Sequence, residues 1–143
     1  MMAMDFKKVV FGSSEYKELL DIRNEVLRKP IGMVLRPKDI ASDKQEYHLA
    51  AFDNGKAIGC VLLRPLDNGS IQLRQMAILD NYRGQNIGAK LVQFAEQIAL
   101  NKKFKIIETR ARKTAEGFYK KLGYISYPNE FEDEHTLKMA KVL

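Results

Sequence analysis

Leu73-Arg74-Gln75-Met76-Ala77-Ile78-Leu79-Asp80-Asn81-Tyr82-Arg83-Gly84-Gln85-Asn86-Ile87-Gly88-Ala89-Lys90-Leu91 is the stretch on which the fold turns. Its first part belongs to an apolar-rich strand over 71–79. Its second part opens a helix in which Ile87, Leu91, Ala95 and Ile98 form one apolar stripe, with Lys90, Gln93 and Glu96 outside. Arg83-Gly84 makes the turn between them. A helix that begins just after a glycine-containing turn offers unpaired backbone N–H groups and the positive end of its dipole, which suits a phosphate or pyrophosphate. Arg83 and Lys90 add positive charge. On these residues alone, a tight turn and close helix packing explain Gly84 and Gly88 equally well, and that alternative stays open. A P-loop does not fit, because three residues separate Gly84 from Gly88, Ala89 precedes Lys90 and Leu91 follows it. The Gly-x-Gly-x-x-Gly order of a dinucleotide site is also absent. Neither ATP nor NAD is the expected ligand.

Upstream, residues 6–11 read as a first strand ended by Gly12. Ser14 is the expected N-cap of a first helix reaching about Arg28, with Glu15 and Glu18 near its positive end and Tyr16, Leu19, Leu20, Arg23 and Leu27 at helical spacing. Pro30, Gly32 and Pro37 then make 29–45 an irregular loop with one helical turn, a kind of segment that often borders a binding site. Strands follow over 47–52, 57–63 and 71–79. Asp53-Asn54-Gly55-Lys56 is the strongest hairpin signal, because Asn-Gly accepts the positive φ values of a type I′ turn. Downstream, 104–109 reads as a fifth strand after the helix, so strand, helix and strand make one parallel crossover in an otherwise antiparallel sheet. A last helix carries Ala115, Phe118, Tyr119 and Leu122 on one face and stops at Gly123. Residues 124–127 and 135–142 form a final hairpin around the acidic turn Glu130-Phe131-Glu132-Asp133-Glu134. The fold class is α/β (α+β): a mixed, mostly antiparallel twisted sheet of six to seven strands flanked by helices.

The chain has 143 residues, 45% of them hydrophobic, enough for one core and one domain over 1–143. No run reaches the roughly 18 apolar residues of a membrane span, so no membrane partner is expected. The first residues, Met1 to Lys8, lack the pattern of a secretory signal, and a cytoplasmic location is the expectation. Cys60 is the only cysteine and lies in an apolar run, so it reads as a small buried hydrophobe rather than a nucleophile. With two scattered histidines, no metal-ligand spacing occurs and no metal is expected. A net charge of +6 suits nucleic acid, an acidic membrane surface or a phosphorylated small molecule, and charge alone does not choose. Its 24 basic residues are offset by 18 acidic ones spread through the chain with no base-reading motif, so nucleic acid is not the expected partner.

Arg83-Gly84-Gln85-Asn86-Ile87-Gly88 resembles the pyrophosphate signature Arg/Gln-x-x-Gly-x-Gly/Ala of the GNAT superfamily of acyl-CoA-dependent N-acyltransferases. Asn86 stands where the first signature glycine usually is, a substitution that asparagine tolerates through its readiness for unusual φ. A second, independent stretch, Ala115-Glu116-Gly117-Phe118-Tyr119-Lys120-Lys121-Leu122-Gly123-Tyr124, is similar to the family's Ala-x-x-Phe-Tyr-x-Lys-Leu-Gly-Phe/Tyr helix. The likeness is strong over 71–127 and weaker before it.

This resemblance implies an N-acetyltransferase that moves an acetyl group from acetyl-CoA, its cosubstrate, to a primary amine through a tetrahedral intermediate. It implies that the fourth and fifth strands splay apart, that pantetheine pairs along Met76, Ala77 and Ile78, and that a backbone N–H near Met76 polarises the thioester. Arg83, Gly84, Gln85, Asn86, Ile87, Gly88 and Ala89 would hold the pyrophosphate. Tyr119 takes the position that protonates the departing thiolate. Arg112 stands seven residues before it, where many relatives have an asparagine that touches CoA, and is placed with the cofactor-binding residues. For the base, Glu108 comes first, from the family's strand glutamate, then His48, then water. The acceptor is not legible; Pro30 to Leu35 and the acidic turn are expected to border its entrance. A homodimer stays open. The rival reading is a non-catalytic acyl-CoA-binding regulatory module.

Overall fold

The computed structural model describes residues 4–127 and 134–143. Seven strands form one sheet: β1 Met4–Val9, β2 Tyr47–Asp53, β3 Lys56–Pro65, β4 Ile71–Ile78, β5 Ile106–Arg112, β6 Ile125–Tyr127 and β7 Thr136–Val142. Their order is β1-β2-β3-β4-β5-β7-β6, with β4 and β5 parallel and every other neighbouring pair antiparallel. The mixed sheet and its one parallel crossover are as the turn signals predict. Helix α1 (Ser14–Arg23) covers one face, closing over Ala50, Cys60 and Ala77 with Leu19 and Ile22. Helices α2 (Ile87–Asn101) and α3 (Glu116–Lys121) cover the other, where Leu91, Val92 and Ala95 meet Leu49, Val61, Leu73 and Ile107. The Asn54-Gly55 turn has φ of 50° and 83°, the double positive that a type I′ hairpin requires.

Several boundaries differ from the sequence reading for local reasons. β1 ends at Val9, because the Val10 carbonyl turns to accept both the backbone N–H and the hydroxyl of Ser13. Ser13, not Ser14, is the N-cap: it is extended, and its Oγ accepts the N–H of Tyr16 at 3.2 Å. The helical path does reach Arg28, but its last turn, Asn24–Arg28, is a π turn. The following loop holds three 3-10 turns rather than one, at Lys29–Ile31, Pro37–Asp39 and Asp43–Gln45. β5 starts two residues later than expected, because Lys103 takes a left-handed φ of 74° to close α2 and the Phe104 N–H still bonds to Ala99. It runs on to Arg112 through pairing with Thr136. Glu96 is not on the open face of α2; its carboxylate is held at 3.1 Å by Lys141 of β7. Most of the acidic turn, 130–133, lies outside the described residues.

Candidate functional site

The site starts from a fault in β4. Gln75 has a φ of 55°, and opposite it the β3 register jumps from Leu62↔Arg74 to Cys60↔Ala77, so two residues of β4 face one of β3. Before this bulge Ile71 and Leu73 point to the α2 face; after it Met76 and Ile78 pack there, and Ala77 joins the α1 side. The bulge also bends β4 away from β5. The two strands pair only at Ile71↔Ile107, Gln72↔Glu108 and Leu73↔Thr109, which leaves Met76, Ala77 and Ile78 with no partner on β5. This is the splay the resemblance implies, with a free strand edge on which an extended ligand can pair.

The turn between β4 and α2 is shaped for an anion. Gly84 has φ 78° and Asn86 φ 63°, so asparagine does take the left-handed conformation expected of it. As N-cap of α2, Asn86 makes no side-chain bond to the helix, and the first N–H groups, at Ile87, Gly88 and Ala89, are left for a ligand. Tyr82 ties the turn to the β2–β3 hairpin by donating to Asp53 at 2.6 Å. Arg83 is exposed and lies 3.2 Å from Asp80, while Gln85 donates to the Asn81 carbonyl at 3.4 Å. A Cβ on Gly88 would stand 3.6 Å from the Phe118 ring, an ordinary contact. These residues fit a pyrophosphate group.

Two cavities open on the splayed gap. One, about 780 Å³, runs from Met76, Ala77 and Ile78 along the anion turn to Phe118. The other, about 520 Å³, lies over β4 and β5 beneath the end of α1. They share Leu27, Met76, Arg112, Ala115 and Tyr119. Arg112 thus stands at the junction, as well placed for the second cavity as for CoA. Tyr119 is buried there, edge-on to Phe118 at 5.0 Å and to Tyr124 at 5.4 Å. Burial raises its phenol above the ordinary value, and the Thr109 side chain beside it offsets part of the rise.

The two expected bases fare differently from Tyr119. Glu108 lines neither cavity. It sits where β4 and β5 are still paired, beside cavity-lining Gln72, with its carboxylate 3.9 Å from Lys138. His48 is buried under α1, its Nε2 2.7 Å from the Asp43 carbonyl, and lines neither cavity. Cys60 is fully buried, and burial pushes its thiol up to about 12, which leaves it inert. Among the described residues no cluster of three or more metal-ligating side chains occurs, and no helix is long and apolar enough to cross a membrane.

Sequence reading missed the character of the second cavity. Among the described residues five arginines line it, Arg28, Arg64, Arg74, Arg110 and Arg112, and no aspartate or glutamate does. They come from the π turn, β3, β4 and β5, and only the period-two polar pattern Gln72, Arg74 and Glu108, Arg110, Arg112 hints at a shared face.

Comparison with known proteins agrees with this geometry. The model of the Acetyltransferase (GNAT) family matches residues 15–124. The uncharacterized N-acetyltransferase YitI of Bacillus subtilis is 27% identical over 124 residues, covering 81% of this chain and 82% of that protein. N-alpha-acetyltransferase 30 of Schizosaccharomyces pombe is 32% identical over 89 residues, 57% of this chain and 59% of its own length. Among solved structures, an acyl-CoA N-acyltransferase from Pseudomonas aeruginosa superposes with a TM-score of 0.83 at 19% identity, covering 99% of this chain and 100% of that one. The PaiA N-acetyltransferase of Thermoplasma acidophilum, solved in complex with coenzyme A, gives 0.77 at 17% identity over 99% and 100% of the two chains. At such identities the structures speak for the fold alone, whereas the family model spans most of the sequence and both of its motifs. The chain belongs to the GNAT family of acetyltransferases.

Proposed function

We propose that this protein transfers an acetyl group from acetyl-CoA to a primary amine. The observation that carries the reading is the junction of the two cavities at Met76, Arg112 and Tyr119. A donor lying along the free edge of β4 and an acceptor entering from beneath α1 would meet there.

Acetyl-CoA supplies the acetyl group as an activated thioester. The uncapped start of α2, with Arg83 and the Gly84 to Ala89 turn, binds its pyrophosphate, and the edge at Met76, Ala77 and Ile78 aligns its arm. A backbone N–H at the bulge stabilises the oxyanion that develops as the amine nitrogen bonds to the carbonyl carbon and the carbon–sulfur bond breaks. Tyr119 gives its proton to the departing sulfur. Glu108 takes the proton lost by the amine, relayed through solvent in the cavity because it does not line the gap itself.

The test is direct. At 100 times its Kd, acetyl-CoA stabilises the protein by about 2.7 kcal/mol, and ATP and NAD at the same concentration do not. CoA is then released when a suitable amine is added. Absence of stabilisation by acetyl-CoA would sink the reading, and stabilisation without CoA release from any amine would favour a non-catalytic acyl-CoA-binding module.

A further inference from the structure

Three arginines of the second cavity, Arg28, Arg64 and Arg74, share their carboxylate partners. Glu46, almost fully buried behind β4, accepts from Arg74 Nη1 at 2.8 and 3.0 Å and lies 3.5 Å from Arg64 Nη2, so one carboxylate serves two guanidiniums. Asp39 is shared in the same way, 3.4 Å from Arg28 and 3.8 Å from Arg36. Arg28 Nε is buried with no hydrogen-bond partner among the described residues. Arg64 is further fixed by the Ser42 hydroxyl at 2.7 Å. Arg28, Arg64 and Arg74 are therefore positioned by these groups and line a cavity whose wall, among the described residues, holds no carboxylate. Of the two cavities that meet at Tyr119, Arg28, Arg64, Arg74 and Arg110 line this one and not the one along the β4–α2 turn.

We infer that the acceptor is a small amine that also carries an anionic group, a carboxylate or a phosphate, held by Arg28, Arg64 and Arg74. The inference rests on the acetyltransferase reading and adds its substrate class. Guanidiniums bind such groups through paired, charge-assisted hydrogen bonds, which are the strong ones in a partly dehydrated cavity. The cavity's size suits a small molecule. A polycation would be repelled here. An amine tethered to an anion is not, and once bound its ammonium lies in a positive field that favours the neutral form, so the nucleophile is produced where it is used. That lightens the work left to Glu108.

The test uses the full chain with saturating acetyl-CoA and a thiol-release assay on matched amines: glycine, β-alanine and 4-aminobutyrate against their amides, O-phosphoethanolamine against ethanolamine, and putrescine as the cation. The anion-bearing member of a pair should have a kcat/KM at least about 30-fold higher, and the better pair tells carboxylate from phosphate. Arg28→Gln and Arg64→Gln should each raise its KM about tenfold, the scale of one charge-assisted bond, and leave the KM of acetyl-CoA within about twofold. Equal or better use of putrescine or of the uncharged counterparts overturns the inference, as does a rise in acetyl-CoA KM in place of amine KM, which would give these arginines to CoA. Calorimetry of β-alanine and O-phosphoethanolamine, with and without CoA, covers the case in which none is acetylated. Binding lost in Arg64→Gln supports the inference, and no binding overturns it. Failure of acetyl-CoA itself to bind is a separate result and strikes the underlying reading.

Discussion

Tyr119 shows how much one side chain's surroundings decide. Its ring is fixed between Phe118 and Tyr124, and Thr109 beside it is anchored by donating to the Leu73 carbonyl at 3.0 Å. Burial raises the phenol, which keeps it protonated well into alkaline pH. An ordinary phenol of pKa about 10 is already a weaker acid than a thiol of reference pKa about 8.5 and the rise widens the gap, so the help proposed for it to the leaving sulfur falls toward the low end of the usual general-acid gain of about 10²–10⁴. Tyr119→Phe should therefore lower kcat by about ten- to a hundredfold while acetyl-CoA affinity, which depends on another turn, stays within about twofold. In the same pH–rate series Glu108→Gln should lose most below about pH 9, where an amine of pKa about 10 still has a proton to give up, and least above it. Wild-type turnover by the Phe variant would make Tyr119 a packing residue, and a pH-independent loss at Glu108 would remove it from proton transfer.

The turn between β4 and α2 is an element whose shape was readable because its parts are adjacent in sequence. Glycine at 84, an asparagine able to take positive φ at 86 and an amphipathic helix after them are local facts, and so are the Asn54-Gly55 hairpin and the Phe118-Tyr119 helix. The bulge at Gln75 was not readable. Residues 71–79 look like one unbroken strand, and only pairing with β3 shows that its face changes after Arg74. The arginine cavity was hidden for a similar reason, since Arg28 reaches it through a π turn and Arg64 through a neighbouring strand. The turn also makes its own prediction. Because a Cβ at Gly88 meets only ordinary contacts, Gly88→Glu should fold with little change in Tm, yet its charge and bulk beside the helix N-terminus should weaken CoA binding at least tenfold. Unchanged affinity in calorimetry would place the pyrophosphate elsewhere.

At the scale of the whole molecule, two halves of the site are held by different means. The half proposed for CoA rests on β4, α2 and α3, which share the larger apolar core. The half proposed for the acceptor rests on the end of α1 and the loop after it, fastened by buried charge. Arg23 and Asp43 are both fully buried and ion-paired, and Tyr16 donates to the same Asp43 oxygen at 2.6 Å. Arg23 lies just before the π turn that carries Leu27 and Arg28 to the cavity, and Asp43 just before Glu46, which holds Arg64 and Arg74. The pair thus fixes the two segments that shape the second cavity relative to each other. Asp43→Ala strands a buried guanidinium, a loss of about 3–5 kcal/mol by urea unfolding, because the uncompensated charge and not the missing attraction dominates. Replacing both partners, Arg23→Met with Asp43→Leu, removes the stranded charge and should recover most of that stability. It should not recover function: with the fastening gone, KM for the acceptor should stay raised about tenfold while KM for acetyl-CoA is nearly normal. A single variant that loses under about 1 kcal/mol, or a double variant with wild-type acceptor KM, would show that apolar packing alone keeps the acceptor half in place.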